Sequence, residues 1–306
     1  MRYFQTHGTD LEVPELALGV MRLPELQQAE ADKLINASLD LGINMFDTAD
    51  IYHQGESDIV LAKAIKHHKR EDLIIQTKAS IIPGVMYDAS KEHLVGSLNA
   101  SLDRLGTDYV DIFLLHRPDA LIEAEEVAEA FTELYDAGKV RHFGVSNFSS
   151  HQMELLNSYL PEHLKAKFNQ IQFGIGHSKF IDNGLNINRN VPQNNDPAGG
   201  LLEYAQLKKI NLQAWSPMQS SDSNSVFIDN PRYPELNQVM QEVADTYNTN
   251  KTAIAVAWIL RHPAKIQTIL GTTKAHRLED SAEATNFTLS REEWYKIYMA
   301  AGKRLP

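Results

Sequence analysis

The chain has 306 residues, 29 Lys plus Arg against 40 Asp plus Glu, a formal net charge of −11 at pH 7, and 43% hydrophobic and 23% charged residues. That balance excludes a wholly disordered chain and argues against binding nucleic acid or anionic lipid broadly, while leaving room for a local basic pocket that takes one phosphate. The absence of cysteine excludes disulfides, thiolate metal sites, iron–sulfur ligation and a cysteine nucleophile; with no signal-like N-terminus and no apolar run of bilayer length, a cytoplasmic protein that does not enter the membrane is expected.

Leu16–Val20 reads as a first strand. Ala31, Leu34, Ile35 and Leu39 recur at helical spacing, and Gly42 stops that helix. Met45 and Phe46 lead a second strand that ends near Asp47, and Ile59–Ile65 carries the next helix. Leu73–Lys78 is the third strand; Leu94, Leu98, Leu102 and Leu105 then mark a helix face closed by Gly106. Tyr109–Leu115 is almost continuously apolar, as a strand covered on both faces should be, and Val127, Phe131, Leu134 and Tyr135 form the helical stripe that ends at Gly138. His142–Val145, Phe168–Phe173, Leu212–Trp215 and Ile269–Gly271 read as strands five to eight. Their helices start near Ser149, cover Leu201–Leu207, lie within Leu236–Leu260 and follow near Leu278.

Eight strand-then-helix units imply parallel pairing with right-handed crossovers, and in a chain of this length they predict an α/β fold of the (β/α)8 TIM-barrel type, one domain over 1–306. An open dinucleotide-binding sheet would carry Gly-x-Gly-x-x-Gly after its first strand, whereas Gly19 stands alone there. The Asn- and Gly-rich segment 174–200 and the polar segment 219–230 are predicted to be loops at the C-terminal mouth. Phe180, Ile181 and Leu185 give the first of them enough apolar surface for a lid.

In a barrel the side chains at strand C-termini share one mouth. Asp47, Lys78 and His116 end strands two, three and four, and Tyr52 follows Asp47 by five residues. These four make sense together as a proton-delivery device. A phenol titrates near 10 in water, a neighbouring ammonium lowers that value, a carboxylate keeps the ammonium charged, and an imidazole can hydrogen-bond a substrate oxygen or relay the proton.

The run Gly42 to Tyr52, continuing to Gly55-Glu56-Ser57, resembles the first signature of the aldo-keto reductases. Leu115-His116-Arg117-Pro118, Gly144-Val145-Ser146-Asn147-Phe148, Asn169-Gln170-Ile171-Gln172, Ala214-Trp215-Ser216-Pro217-Met218 and Gly271-Thr272-Thr273-Lys274 with Arg277 resemble later motifs of that family, in order, over roughly residues 12 to 300. The resemblance is to the bacterial NADP-dependent oxidoreductase branch. It implies a barrel that binds NADP(H) across its mouth and passes hydride between nicotinamide and the carbonyl of a small aldehyde or ketone. Tyr52 would be the general acid/base, Lys78 and Asp47 would tune it, and His116 would orient the substrate.

The resemblance also implies the cofactor-binding residues. Gly19, Val20, Met21 and Asp47 would lie beside the nicotinamide. Ser146, Asn147 and Gln170 would hold its carboxamide, and Trp215 would stack on its ring. Ser216, Pro217 and Met218 would wrap the pyrophosphate. Gly271, Thr272, Thr273, Lys274 and Arg277 would form the strand-eight cofactor motif, with the last two cations serving a 2′-phosphate, although many relatives carry a lysine where Gly271 stands. Two rival readings remain at this stage: a cofactor-binding auxiliary protein of the same fold with little turnover, and a barrel lyase using Lys78 as a Schiff base. No metal site is expected, because no His-Glu-x-x-His or comparable ligand pattern occurs. Composition is silent on oligomeric state.

Overall fold

The computed structural model describes residues 1–186, 200–222 and 225–305. An antiparallel hairpin, β1 (Tyr3–Gln5) and β2 (Glu12–Pro14), opens the chain. It is followed by β3 (Leu16–Gly19), α1 (Gln28–Asp40), β4 (Met45–Asp47), α2 (Glu56–Ile65), β5 (Ile74–Ala79), a small hairpin of β6 (Ile81–Ile82) and β7 (Met86–Tyr87), and α3 (Lys91–Leu105). Next come β8 (Val110–Leu115), α4 (Ala124–Asp136), β9 (Val140–Ser146), α5 (Ser150–Tyr159), β10 (Phe168–Gln172), α6 (Lys179–Leu185) and α7 (Leu201–Lys208). The last elements are β11 (Asn211–Trp215), α8 (Pro234–Tyr247), α9 (Lys251–Leu260), β12 (Gln267–Leu270), α10 (Ala275–Ala282) and α11 (Arg291–Ala300).

The predicted barrel is present. β3, β4, β5, β8, β9, β10, β11 and β12 pair in parallel and in chain order, and β12 returns to β3 with Thr268, Ile269 and Leu270 opposite Leu16, Ala17 and Leu18. Strand periodicity explains why these segments read as almost continuously apolar. In β5, Ile75 packs outward with the helices, whereas Ile74 belongs to an inner cluster with Leu11, Val13, Ala17, Met45, Ile112, Leu114, Phe168 and Ile269. Leu11 and Val13 come from the first hairpin and its turn, and Phe4 packs against them. The hairpin therefore plugs the N-terminal end of the barrel, which leaves the C-terminal mouth as the open face.

Helix stops were legible where a residue solves a backbone problem. Gly106, at φ 64, ends α3 in the left-handed conformation and returns its N–H to Leu102 O. The predicted helical region 236–260 is two helices. Asn248, at φ 50, closes α8, and the Asn250 side chain accepts from Ala253 N to start α9. The predicted lid needs a correction. Its described part contains α6, whose Ile181 is buried, and Phe180, Ile181 and Leu185 line a groove shared with Leu202, Trp294 and Tyr295 of the outer helices. Asp182 ties α6 to the C-terminal region by accepting from Tyr298 Oη at 2.8 Å and from Lys303 Nζ at 2.5 Å. The rest of the predicted loop, 187–199, lies outside the described residues.

Candidate active site

Alternation along β4 and β5 turns Asp47 and Lys78 into the barrel, on the same faces as Met45 and Ile74. Lys78 is 1% exposed and Asp47 is 3% exposed. The ammonium donates to Asp47 Oδ2 at 2.7 Å, to Thr48 O at 2.8 Å and to Tyr52 Oη at 3.2 Å. Three donors meet three acceptors, so the buried cation is fully satisfied and one of its bonds fixes the phenol. The His116 ring meets the Tyr52 ring edge-on at 5.7 Å, and His116 Nδ1 is buried with no partner among the described residues. The structure thus brings all four predicted catalytic side chains together.

The electrostatics differ in sign from the expectation for Tyr52. Lys78 and Arg117 do pull its proton affinity down, but burial outweighs them and Asp47 adds to burial, so the phenol sits above its ordinary value. For Lys78, burial alone would lower the value; Asp47 and Tyr52 more than compensate, and the ammonium is held above the usual lysine range. His116 is pushed down to about 2, by burial first and then by Lys78 and Arg117, and is a neutral imidazole at any ordinary pH. The resting site therefore holds a protonated phenol beside a charged ammonium and an uncharged ring.

The turn that carries Tyr52 is strained and braced. Tyr52–Gly55 forms a short 3-10 turn in which His53, Gln54 and Gly55 have φ of 46°, 56° and 90°. Left-handed conformations at two non-glycine residues persist only where surrounding structure enforces them. Asp58 does so from the first turn of α2: Thr48 Oγ1 donates to its Oδ1 at 2.7 Å, and Arg104 Nε and Nη2 donate to its Oδ2 at 3.1 and 3.0 Å. A Cβ on Gly55 would lie 2.5 Å from Arg104 Nε, so only glycine lets the guanidinium close over the turn.

The residues predicted to hold the nicotinamide form a continuous chain with the catalytic group. Trp215 Nε1 donates to Asn147 Oδ1 at 3.0 Å, Asn147 Nδ2 donates to Ser146 Oγ at 2.8 Å, and Ser146 Oγ donates to Gln170 O at 2.9 Å. Gln170 Nε2 donates to Asp47 Oδ1 at 2.9 Å. The indole is thereby fixed at the end of β11, and Arg117 lies 5.9 Å from its ring centre. Met21 and Ser216 are exposed and Gly19 is half-buried, while Val20 and Pro217 are buried and Met218 packs partly into the outer core. At the end of β12, a Cβ on Gly271 would meet nothing within 4 Å. Thr272 and Thr273 are half-buried; Lys274 and Arg277 are exposed and make no ion pair among the described residues. Arg22, which the sequence reading passed over, reaches from the end of β3 to donate to Gly271 O.

Other residues were also missed. Gln76, Gln213 and Gln267 point into the barrel and are at most 2% exposed. The available signal was an amide beside apolar residues in each of three buried strands. Among the described residues, no helix is long and apolar enough to cross a membrane, and no group of three or more His, Cys, Asp or Glu is placed to hold a metal ion.

A closed parallel barrel whose mouth holds a Lys-bound tyrosine and a histidine nitrogen unpaired among the described residues has the groups that a proton-transferring barrel site would use. Comparison with known proteins makes this specific. The aldo/keto reductase family profile matches residues 15–300, and the chain belongs to that family. It is 33% identical to a 6-dehydroglucose reductase of Novosphingobium aromaticivorans, over 99% of this chain and 96% of that one. It is 34% identical to the uncharacterised oxidoreductase YcsN of Bacillus subtilis, over 95% of each. Among solved structures, the thermostable aldo-keto reductase Tm1743, crystallised with the inhibitor epalrestat, superposes with a TM-score of 0.79 at 27% identity and covers 98% of this chain and all of its own.

Proposed function

We propose that this protein is an NADP(H)-dependent oxidoreductase that reduces the carbonyl of a small aldehyde or ketone, with Tyr52 as the proton donor. The observation that carries this reading is the satisfied Lys78 ammonium, which holds the Tyr52 hydroxyl at 3.2 Å while burial keeps that hydroxyl protonated. The dinucleotide, when bound, supplies the hydride. The protein's part is position and charge. The fixed indole of Trp215 suits a flat ring, and the amides of Asn147 and Gln170 with Ser146 suit a carboxamide. Lys274 and Arg277, exposed and without ion pairs among the described residues, suit a 2′-phosphate, and Arg22 adds a third cation across the same edge of the mouth.

His116, neutral and with an unpaired nitrogen, orients the substrate oxygen. As negative charge develops on that oxygen, Tyr52 gives up its proton, and Lys78 stabilises the tyrosinate that remains. Asp47 keeps Lys78 charged and in place throughout.

The test is NADPH consumption over a panel of aldehydes, ketones and keto sugars that includes 6-dehydroglucose, for wild type and Tyr52→Phe, with fluorescence titration of both cofactors. The expected result is turnover by wild type, a loss of about 100-fold or more in kcat for Tyr52→Phe with cofactor affinity retained, and tighter binding of NADPH than of NADH. A wild type no faster than Tyr52→Phe on every substrate would support the auxiliary-protein reading instead, and tighter NADH binding would overturn the 2′-phosphate assignment.

A further inference from the structure

We propose that Gln76, backed by Gln213, is a positioning residue that holds the Asp47 carboxylate against Lys78 and thereby sets how firmly Tyr52 keeps its proton. The proposal rests on the reading of Tyr52 as proton donor.

Barrel layers are ordinarily filled by branched apolar side chains. Here one layer is made of amides. Register places Gln76 opposite Asp47, Gln170 opposite Gln213, and Gln213 opposite Gln267. Gln76 Nε2 donates to Asp47 Oδ1 at 2.5 Å and to Gln213 Oε1 at 2.9 Å. Gln213 Nε2 donates to Gln267 Oε1 at 2.9 Å, and Gln267 Nε2 donates to Pro14 O at 2.7 Å.

The two ends of this ladder fix its direction. A carboxylate terminates it at one end and a backbone carbonyl at the other, and both only accept. A row of amides each donating once and accepting once can satisfy one such end. To satisfy both, one amide must donate twice and leave its own carbonyl without a donor. Among the three rungs that amide is Gln76, next to Asp47: both its bonds are donations, as are the two that Gln170 Nε2 makes to Asp47 Oδ1 and Gln213 Oε1, and Gln76 Oε1 is buried with no partner among the described residues. The cost of the arrangement falls on the residue that serves the carboxylate, and a merely space-filling layer would not incur it.

The consequence is electrostatic. Asp47 Oδ1 accepts from Gln76 and Gln170 while Oδ2 accepts from Lys78, so every contact made by this carboxylate is a donor aimed at its negative charge. The charged and titratable groups around Tyr52 are Asp47 on β4, Lys78 on β5, and His116 and Arg117 after β8. Of these, only Asp47 opposes loss of the phenolic proton. Amide dipoles turned toward Asp47 offset part of its field. Without them the carboxylate acts on Tyr52 at greater strength, which makes the phenol a weaker acid.

The experiment is a titration of Tyr52 without cofactor or substrate. The tyrosines are replaced by 3-fluorotyrosine, whose phenol is intrinsically more acidic, and the Tyr52 fluorine resonance is assigned by its loss in Tyr52→Phe. Gln76→Met, which keeps the bulk and removes the amide, is expected to move the Tyr52 midpoint upward by about one pH unit. Gln213→Met, which touches Gln76 but not Asp47, is expected to move it the same way by less. Gln267→Met, at the far end of the ladder, is expected to leave it in place.

An unshifted midpoint in folded Gln76→Met overturns the proposal, as does an equal shift in Gln267→Met, which would mark a general packing effect. Should Gln76→Met fail to fold, Gln213→Met decides on the same terms. Because the readout needs neither turnover nor dinucleotide, a protein that shows these shifts yet reduces no carbonyl would refute the proposed function without touching the ladder.

Discussion

Removing the Lys78 ammonium while leaving its partners buried is the sharpest perturbation the site allows. At 2.7 Å and an effective dielectric of ~20, the Asp47–Lys78 attraction is about 6 kcal/mol before desolvation. Desolvation of two groups with side-chain exposures of 4% and 0% offsets most of that, so the pair itself adds little net stability. Lys78→Met is different: it strands a buried carboxylate, and the expected loss is about 3–5 kcal/mol. In a chain of this size that lowers Tm by about 5–8 °C. Lys78→Met combined with Asp47→Asn leaves no charge behind and is expected to recover roughly half of the loss, while both variants lose carbonyl reduction.

The pH dependence follows from direction alone. The folded lysine value is raised above the unfolded one, so the stabilising interaction is fully present below the ordinary lysine value of about 10.4 and disappears as pH rises through the higher folded value. Differential scanning calorimetry of wild type and Lys78→Met from pH 7 to 11 reads both effects, and the Tm gap should be constant to about pH 10 and narrow above it. A Lys78→Met Tm within about 2 °C of wild type at pH 7, or a double variant no more stable than Lys78→Met, would refute the argument that a buried ion pair anchors the phenol.

Two further outcomes test the frame around the site. Burial raises the Asp50 carboxyl from 3.8 to about 6, against weaker opposition from Ser97 and His93. The folded protein thus carries an ill-solvated charge above pH 6 that the unfolded chain carries in water. Asp50→Asn should therefore stabilise by up to about 3 kcal/mol at pH 8 and by almost nothing at pH 4; a Tm difference independent of pH would contradict this. Gly55→Ala adds a Cβ at φ 90 against the guanidinium that braces Asp58, and is expected to cost about 2 kcal/mol and to lower kcat severalfold with cofactor affinity unchanged. Wild-type stability and kcat in that variant would mean that the brace does not position Tyr52.

The parts of this molecule that were legible in the sequence are those whose signal is local. Leu73, Ile74 and Ile75 open a short run that ends at Lys78, and that run alone predicts a strand with a lysine at its C-terminal end before any neighbour is known. The motifs around Tyr52, His116, Asn147, Gln170 and Trp215 are likewise contiguous, and the structure joins them through hydrogen bonds that no single motif contains. The three-residue strands of the first hairpin are too short to display a period, so the barrel's plug was invisible. α6 was read as lid because Phe180 and Ile181 are apolar in a polar context; only packing reveals that they face α7 and α11.

The glutamine ladder depends on register, which sequence does not display: Gln76 gains meaning only opposite Asp47, and Gln213 only opposite Gln267. The one reversal of sign has the same origin. Lysine beside tyrosine predicts a more acidic phenol, and Lys78 does act in that direction, but how deeply Tyr52 lies is a property of the assembled barrel, and burial prevails. The reversal suits the role proposed for Tyr52 as proton donor. A phenol made acidic in the resting protein would lose its proton to solvent and arrive at the carbonyl as a base. A phenol kept protonated by burial, yet hydrogen-bonded to an ammonium that can receive the negative charge, yields its proton only when charge appears on an oxygen beside it, and that moment is the transition state.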